Sequence, residues 1–318
     1  MSVINYEVKR KKLLKQQHSD VVTAGVSIFG VAFLMFLIFK GGFNHKLIFF
    51  LGLVILASLL YIIVLRQIYK KYESKSADLF NNELLVFIAK DLKLTFQPFG
   101  AFFLEDFGDF ATFTKGANLS ICRASMIGKI GFGNAKFGDL ALKRDFKRKK
   151  KFFDLDKIFS RISENDIFNG FILKVDYLEP FLGRFEVGVR GDFFGNADLK
   201  FAKPSVILSE VFDIYADEKS LQIAPQIINK EILSDLQKVM ENLIGKTMLY
   251  VNQKSLIISV ENSELFKFNT NSHDSNSKLL ESMKLMAKIA QKIDDNNANL
   301  KDAQPVPNIT FIATNGEI

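Results

Sequence analysis

The chain has no tryptophan, one cysteine, three histidines and six prolines among 318 residues. A lone Cys122 excludes an intramolecular disulfide framework and any cysteine-rich metal centre. Its surroundings offer no nearby histidine and no C-x-x-C partner, so it reads as a small apolar side chain. His18, His45 and His273 lie far apart in sequence, none on a predicted rigid element of the soluble part, which argues against a histidine-dependent hydrolase or a histidine-based metal centre. Gly128, Gly131 and Gly133 form GKIGFG, which is neither the dinucleotide fingerprint nor a phosphate-binding loop and reads as a turn or bulge. Glu105, Asp106 and Asp109 are close, but no calcium-loop pattern surrounds them, and a solvated turn is the simpler use. Asp213 and Asp217 flank a predicted strand end, where carboxylates cap or turn the chain. No cofactor is called for by any of these.

What is present is apolar. Hydrophobic residues make up 48% of the chain and Phe alone fills 33 positions, which excludes an intrinsically disordered chain. Val21–Phe39 and Leu47–Leu65 are uncharged runs of 19 residues with 12 and 15 Val, Ile, Leu or Phe. As helices each spans roughly 28 Å, close to the ~30 Å hydrocarbon core. At about −0.3 to −0.6 kcal/mol per such residue, insertion gains about −4 to −7 and −4 to −9 kcal/mol. A cleaved signal peptide fits poorly, because the run is long, no A-x-A site follows and a second run comes at once. Gly25, Gly30, Gly52 and Ala57 are small positions that could let two such helices approach closely.

Basic residues set the orientation. Lys9, Arg10, Lys11, Lys12 and Lys15 precede the first run, and Arg66, Lys70, Lys71 and Lys75 follow the second. Between the runs stand only Lys40 and Lys46. The bias predicts both termini in the cytoplasm and a tight outer turn. Of the net charge of +7, residues 1–20 carry +3 and the two spans with their link +2, so most of the excess reads as topology and not as a nucleic-acid footprint. The exception is Lys143–Lys151, KRDFKRKKK, with seven basic groups against Asp145. Lys143, Arg144, Lys147, Arg148, Lys149, Lys150 and Lys151 form either a solvated loop or a contact for the anionic inner leaflet, for nucleic acid or for an acidic protein partner.

After the spans, Leu79, Phe80, Leu84, Phe87, Ile88 and Leu92 recur with helical spacing up to a stop at Gln97-Pro98. Residues 101–135 show no clean period. Strands are predicted at Phe137–Leu142, Phe168–Tyr177, Phe185–Val189 (half-buried by its alternation), Val206–Leu208 and Val211–Ala216, and a short helix at Leu155–Ile162. A helix is predicted from about Pro225 to Leu243, a hairpin at 247–260 around Asn252-Gln253-Lys254, and an amphipathic helix over Leu279–Ile293. The whole reads as α+β: a basic cytoplasmic N-terminus (1–20), a transmembrane helix hairpin (21–65), a cytoplasmic domain with a mainly antiparallel sheet and flanking helices (66–293), and a polar tail (294–318) expected to lack structure.

The stretch Glu210–Ile228, EVFDIYADEKSLQIAPQII, with Phe212, Ile214, Tyr215, Asp217 and Pro225, resembles a bacterial membrane-associated family catalogued as domain of unknown function 3137. The segments Phe137–Leu142 and Phe168–Phe171 with a basic insertion between them resemble its earlier strand pair. The resemblance implies a fold and attachment to the bacterial inner membrane, and a loose association with LemA-type membrane proteins as partners; it implies no reaction. The expected function is a membrane-anchored, non-catalytic interaction module, with two alternatives: peripheral binding of anionic lipid through 143–151, or a carboxylate- or cation-dependent enzyme. The sequence leaves the oligomeric state open.

Overall fold

The computed structural model describes residues 3–39, 46–97, 100, 102–108, 110–114, 116–144, 166–191, 200–201, 209–261 and 275–303. The predicted elements at 155–162 and 206–208 and the outer turn Gly41–His45 lie outside them. The chain divides into two compact units, Met1–Pro98 with Ser263–Ser277, and Phe99–Asn262 with Lys278–Ile318.

In the first unit, α1 (Val3–Phe39) and α2 (Lys46–Leu79) are long helices. The second continues through a π-helical turn, Phe80–Leu85, into α3 (Val86–Asp91). Adjacent Leu84 and Leu85 of this turn are both fully buried. The helix ends earlier than the apolar period predicts. Lys93 takes a left-handed conformation (φ 57°), its N–H donates to the Lys90 carbonyl (3.1 Å), and β1 (Leu94–Gln97) follows.

The second unit starts in a 3₁₀ turn (Leu104–Phe107) and the one-turn helix α4 (Ala111–Thr114). Its strands are β2 (Leu119–Ile130), β3 (Gly133–Lys143), β4 (Asp166–Asp176), β5 (Phe185–Val189), β6 (Lys200–Phe201), β7 (Phe212–Ala216), β8 (Lys246–Asn252) and β9 (Ser255–Glu261). They run in the order β2-β3-β4-β9-β8-β5-β7-β6, antiparallel at each described pairing. The β2–β3 connection is a two-residue turn, Gly131-Phe132, in which only Gly131 has positive φ (58°), as the hairpin geometry with glycine first requires. The β8–β9 hairpin closes at Asn252↔Ser255 around Gln253-Lys254, as its sequence predicts.

Strand alternation sorts the sheet into two covered faces. On one, Leu140, Leu142, Phe168, Ile172, Met248, Tyr250 and Ile257 join Phe102, Phe107, Phe110 and Phe113 in a single cluster. Phe113 is its hub, 5.0 Å from Phe168 and 5.6 Å from Tyr250 between ring centres. The aperiodic Phe-rich stretch is thus the lid of that face. On the other face lie Phe137, Phe171, Leu173, Leu249, Ile258, Val187 and Ile214, all buried. Because both faces are covered, β5 is buried along nearly its whole length, contrary to the half-buried strand its alternation predicts.

Three helices complete the unit: α5 (Ala224–Ile227), α6 (Lys230–Leu243) and α7 (Ser275–Ala303), the last crossing from one unit into the other. The single helix expected from Pro225 is two helices. Ile228 is extended (ψ 90°), and Asn229 caps the second with its Oδ1 accepting from the Ile232 N–H at 3.0 Å. The helix expected to stop at Ile293 runs ten residues further. Asn296 donates to the Ile227 carbonyl (2.8 Å), and buried Asn297 accepts from the Leu182 N–H (2.9 Å). The polar residues that suggested a tail are therefore tertiary hydrogen-bonding groups. Residues 304–318 lie outside the described residues.

Candidate functional site

The apolar runs are the largest functional feature of the first unit. Both fall within helices long and apolar enough to cross a membrane; none of the most apolar stretch of the first and 6% of that of the second is buried. Helices of a soluble core would be covered, and these are not. Phe33, Leu34, Ile38, Ile48, Ile55 and Ile62 all face outward, each more than half exposed. The two helices pack as an antiparallel pair. Phe36 meets Phe50 (5.0 Å) near the turn, Phe29 meets Tyr61 (5.8 Å) further along, and the Tyr72 hydroxyl donates to Asp20 (2.8 Å) just past the apolar zone. That register sets the two runs side by side. Gly25 lies against the Tyr61 ring and Ala57 is buried, as close approach demands. A methyl group on Gly30 or Gly52 would meet nothing within 4 Å, so these two glycines take no part.

Beyond Asp20 the pair turns polar. Lys71 and Lys75 stand over the Tyr72 ring at 5.6 and 5.5 Å, and Lys71 is 3.8 Å from Asp20. Further down, Lys9 bonds Glu83 of the π turn (2.7 Å), Arg10 bonds Glu7 (3.1 Å), and Asn276 donates to Glu7 (2.6 Å). Arg10 is buried, and burial pushes the Tyr6 phenol up to about 12, with Arg10 opposing the rise. The basic cluster that signals topology is thus partly structural: Lys9 and Arg10 hold the base of the helix pair. His18 is an exposed residue of α1; His45 and His273 lie outside the described residues.

Of the seven basic candidates, Lys143 and Arg144 are described and Lys147–Lys151 are not. Lys143 is the last residue of β3, opposite Leu119 and Asp166. Arg144 donates to the Gly116 carbonyl (3.4 Å). At this same end of the sheet β9 finishes at Glu261, and Gly100 lies against Cys122 near the start of β2. The basic run therefore begins at the end of the sheet where β9 finishes and β2 starts.

Of the acidic candidates, Asp106, Asp213 and Asp217 are engaged. Asp106 accepts from the Phe103 N–H and from Lys136, each at 2.8 Å, and so ties the 3₁₀ turn to β3. Asp109 lies outside the described residues. Asp217 accepts from the Ser220 N–H (2.9 Å) and hydroxyl, the turn role read from the sequence, whereas Asp213 lies within β7 and accepts from Arg190 (3.1 Å), so it neither caps nor turns the chain. Cys122 is half-buried at a bulge in β2, packed against the Phe cluster. Among the described residues no group of three or more His, Cys, Asp or Glu could hold a metal ion.

Sequence reasoning missed the buried charges of the second unit. Lys174 and Glu186 are buried on the sheet, and Asp176 accepts from both Lys174 and Ser255 (2.6 Å for the latter). Between α6 and α7, buried Asp235 meets Lys288 at 2.9 Å, and Glu231 bonds Lys292. The only signal was a charged residue at a predicted apolar strand position, as at Lys174 in FILKVDY.

The fold and this geometry define an α+β protein with an antiparallel sheet and two long apolar N-terminal helices. No family model and no curated protein matches the chain. Among solved structures, the crystal structure of the mycobacterial trehalose monomycolate transport factor A, TtfA, is similar at 9% identity over 72% of this chain and 98% of that one, with a TM-score of 0.42. A likeness this slight carries no argument.

Proposed function

We propose that this is a membrane-anchored, non-catalytic interaction module: α1 and α2 cross the bacterial inner membrane as a hairpin, both termini are cytoplasmic, and the second unit engages a protein partner at the membrane. The observation that carries the reading is the pair of register-matched apolar zones, which apart from their contact with each other stand almost wholly exposed. Exposed apolar surface on this scale needs hydrocarbon around it. The basic residues on both polar ends support the cytoplasmic assignment, and the segment 210–228 supports membership of the domain-of-unknown-function family it resembles. The test is alkaline extraction of membranes together with cytoplasm- and periplasm-specific reporters at the C-terminus. The chain should stay in the pellet with the cytoplasmic reporter active; release into the supernatant, or a periplasmic signal, would sink the reading. Crosslinking in intact membranes then identifies the partner, a LemA-type protein being the first to look for.

A second reading, contact of Lys143–Lys151 with anionic headgroups, is favoured by the position of Lys143 at the last residue of β3, where the basic run leaves the sheet. Six net charges near an anionic surface could contribute up to ~6 kcal/mol, screened by salt. With the full chain in nanodiscs, hydrogen exchange at 143–151 should slow when phosphatidylserine is included at low salt. The effect should vanish at high salt and when Lys147, Arg148, Lys149, Lys150 and Lys151 become Gln. Exchange indifferent to lipid charge would reject it.

A further inference from the structure

Lys71 and Lys75 stand one helical turn apart on one face of α2, just past the second apolar run. Both ammonium groups lie over the ring of buried Tyr72, 5.6 and 5.5 Å from its centre. Like charges at this spacing repel each other. Among the described residues, Asp20 is the one carboxylate within ion-pair reach of either, 3.8 Å from Lys71. That distance is too long for a hydrogen bond, and Asp20 already accepts from the Tyr72 hydroxyl at 2.8 Å. Two cations therefore share one aromatic platform and one carboxylate that is partly spent on the phenol. Lys71 keeps 57% of its side chain exposed.

Their level along the helix follows from the contacts they make. Asp20 immediately precedes Val21, where the first apolar run begins, so Lys71 beside it lies at the edge of the apolar zone. Helical side chains lean toward the N-terminus of their helix, and α2 leaves the apolar zone in its C-terminal direction, so its lysines lean back toward that zone. Lys75 does so, with its ammonium over the ring three residues earlier. Tyr72 leaves the backbone about 10 Å past Leu65, and its own ring leans back to reach Asp20. The interfacial layer of a bilayer is about 5–8 Å deep on each side, which sets the platform at headgroup level. Basic side chains of α1 lean the opposite way, and Lys9 reaches Glu83 of the π turn instead.

We infer that Lys71, Lys75 and the Tyr72 ring form a site for the phosphate of an anionic phospholipid. The inference rests on the membrane reading above and is separate from the basic run at 143–151. Each ammonium has three donors, and a phosphodiester between them accepts from both and cancels their repulsion. A zwitterionic choline lipid brings a cation of its own beside the two lysines, so the site discriminates by headgroup charge.

The experiment places the full chain in nanodiscs of equal parts phosphatidylglycerol and phosphatidylcholine, releases it into mild detergent and counts the retained lipids by native mass spectrometry. Phosphatidylglycerol should be retained over phosphatidylcholine at least fivefold. Lys71→Gln combined with Lys75→Gln should bring the ratio below two. Arg66→Gln with Lys70→Gln, the same loss of charge about 140° round the helix, should leave it above three. Equal retention of the two lipids by the unaltered chain, or an equal fall in both double variants, would overturn the inference. So would displacement by dilute inorganic phosphate, which would assign the lysines to a free anion. A chain that elutes apart from the discs fails the membrane reading and the site with it, whereas a chain that enters the discs without headgroup preference fails the site alone.

Discussion

Ile244 shows how much a single backbone position can cost. It caps α6 in the left-handed conformation (φ 49°), although it is β-branched and its side chain is exposed. Left-handed backbone costs a side-chain-bearing residue about 1–2 kcal/mol, and glycine escapes the penalty. Ile244→Gly is therefore expected to stabilise the second unit by about 1 kcal/mol, read as a higher apparent melting temperature of the full chain in detergent micelles. A lower one would mean that the side chain packs on something. Tyrosines make a second prediction at this scale. Burial pushes the phenols of Tyr177 and Tyr250 up from 10.0, with nearby carboxylates adding to the rise. A raised folded value means that the unfolded chain releases the proton first, so this stability is fully present below pH 10 and is lost as pH rises above it. Unfolding should become steeply easier above pH 10, and Tyr250→Phe should flatten the fall, because it removes the ionisable group and keeps the ring in the Phe cluster.

At the scale of elements, two glycines of one hairpin differ in what they permit. A Cβ on Gly133 would lie 2.4 Å from Val175 Cγ1 and 3.0 Å from the Tyr177 ring, both buried, whereas at Gly131 it would meet the movable end of Gln291. Gly133→Ala should cost about 1–3 kcal/mol by overpacking, and Gly131→Ala about 1 kcal/mol through its positive φ. Thermal melts of both variants give the order; a reversed order would refute the packing argument. The α6–α7 pair carries a pH signature of its own. Hydrogen bonding and charge from Lys292 hold the Glu231 carboxyl below its ordinary 4.5. A depressed folded value means that the clamp's contribution is present above pH 4.5 and fades as pH falls through the folded value. Lys292→Gln should weaken that acid-side dependence in equilibrium melts, and Lys288, 3.4 Å from Glu231, should retain part of it.

For the molecule as a whole, insertion energies decide what the hairpin tolerates. The first run gains about −4 to −7 kcal/mol, and an arginine at mid-span costs about 2.5–3.5 kcal/mol. Leu34→Arg should therefore leave topology intact, while Val31→Arg with Leu34→Arg should bring the balance near zero and expel the first span. One span then remains, and reporters at the two ends of the chain would lie on opposite sides of the membrane. Unaltered reporters in the double variant would mean that α1 is not held by hydrocarbon. Phe33, Leu34 and Ile55 stand uncovered by protein, while β4, β5 and β8 bury their large apolar side chains against it.

Periodicity and composition by themselves determined the apolar helix pair, its charge asymmetry, the hairpin at 247–260 and most strands, because each follows from side chains close in sequence. Cys122 and Asp217 were legible for the same reason, as a local packing residue and a turn residue. Tertiary structure alone decided that residues 102–114 roof one face of the sheet, since a lid of phenylalanines has no period to read. It decided that Asn296 and Asn297 extend α7, since their partners Ile227 and Leu182 lie 69 and 115 residues away in the chain. It also decided that Lys174 and Glu186 are buried and that Phe132 and Leu178 are bare. Burial depends on which strands become neighbours, and the β4–β9 and β8–β5 pairings join segments that no local signal connects.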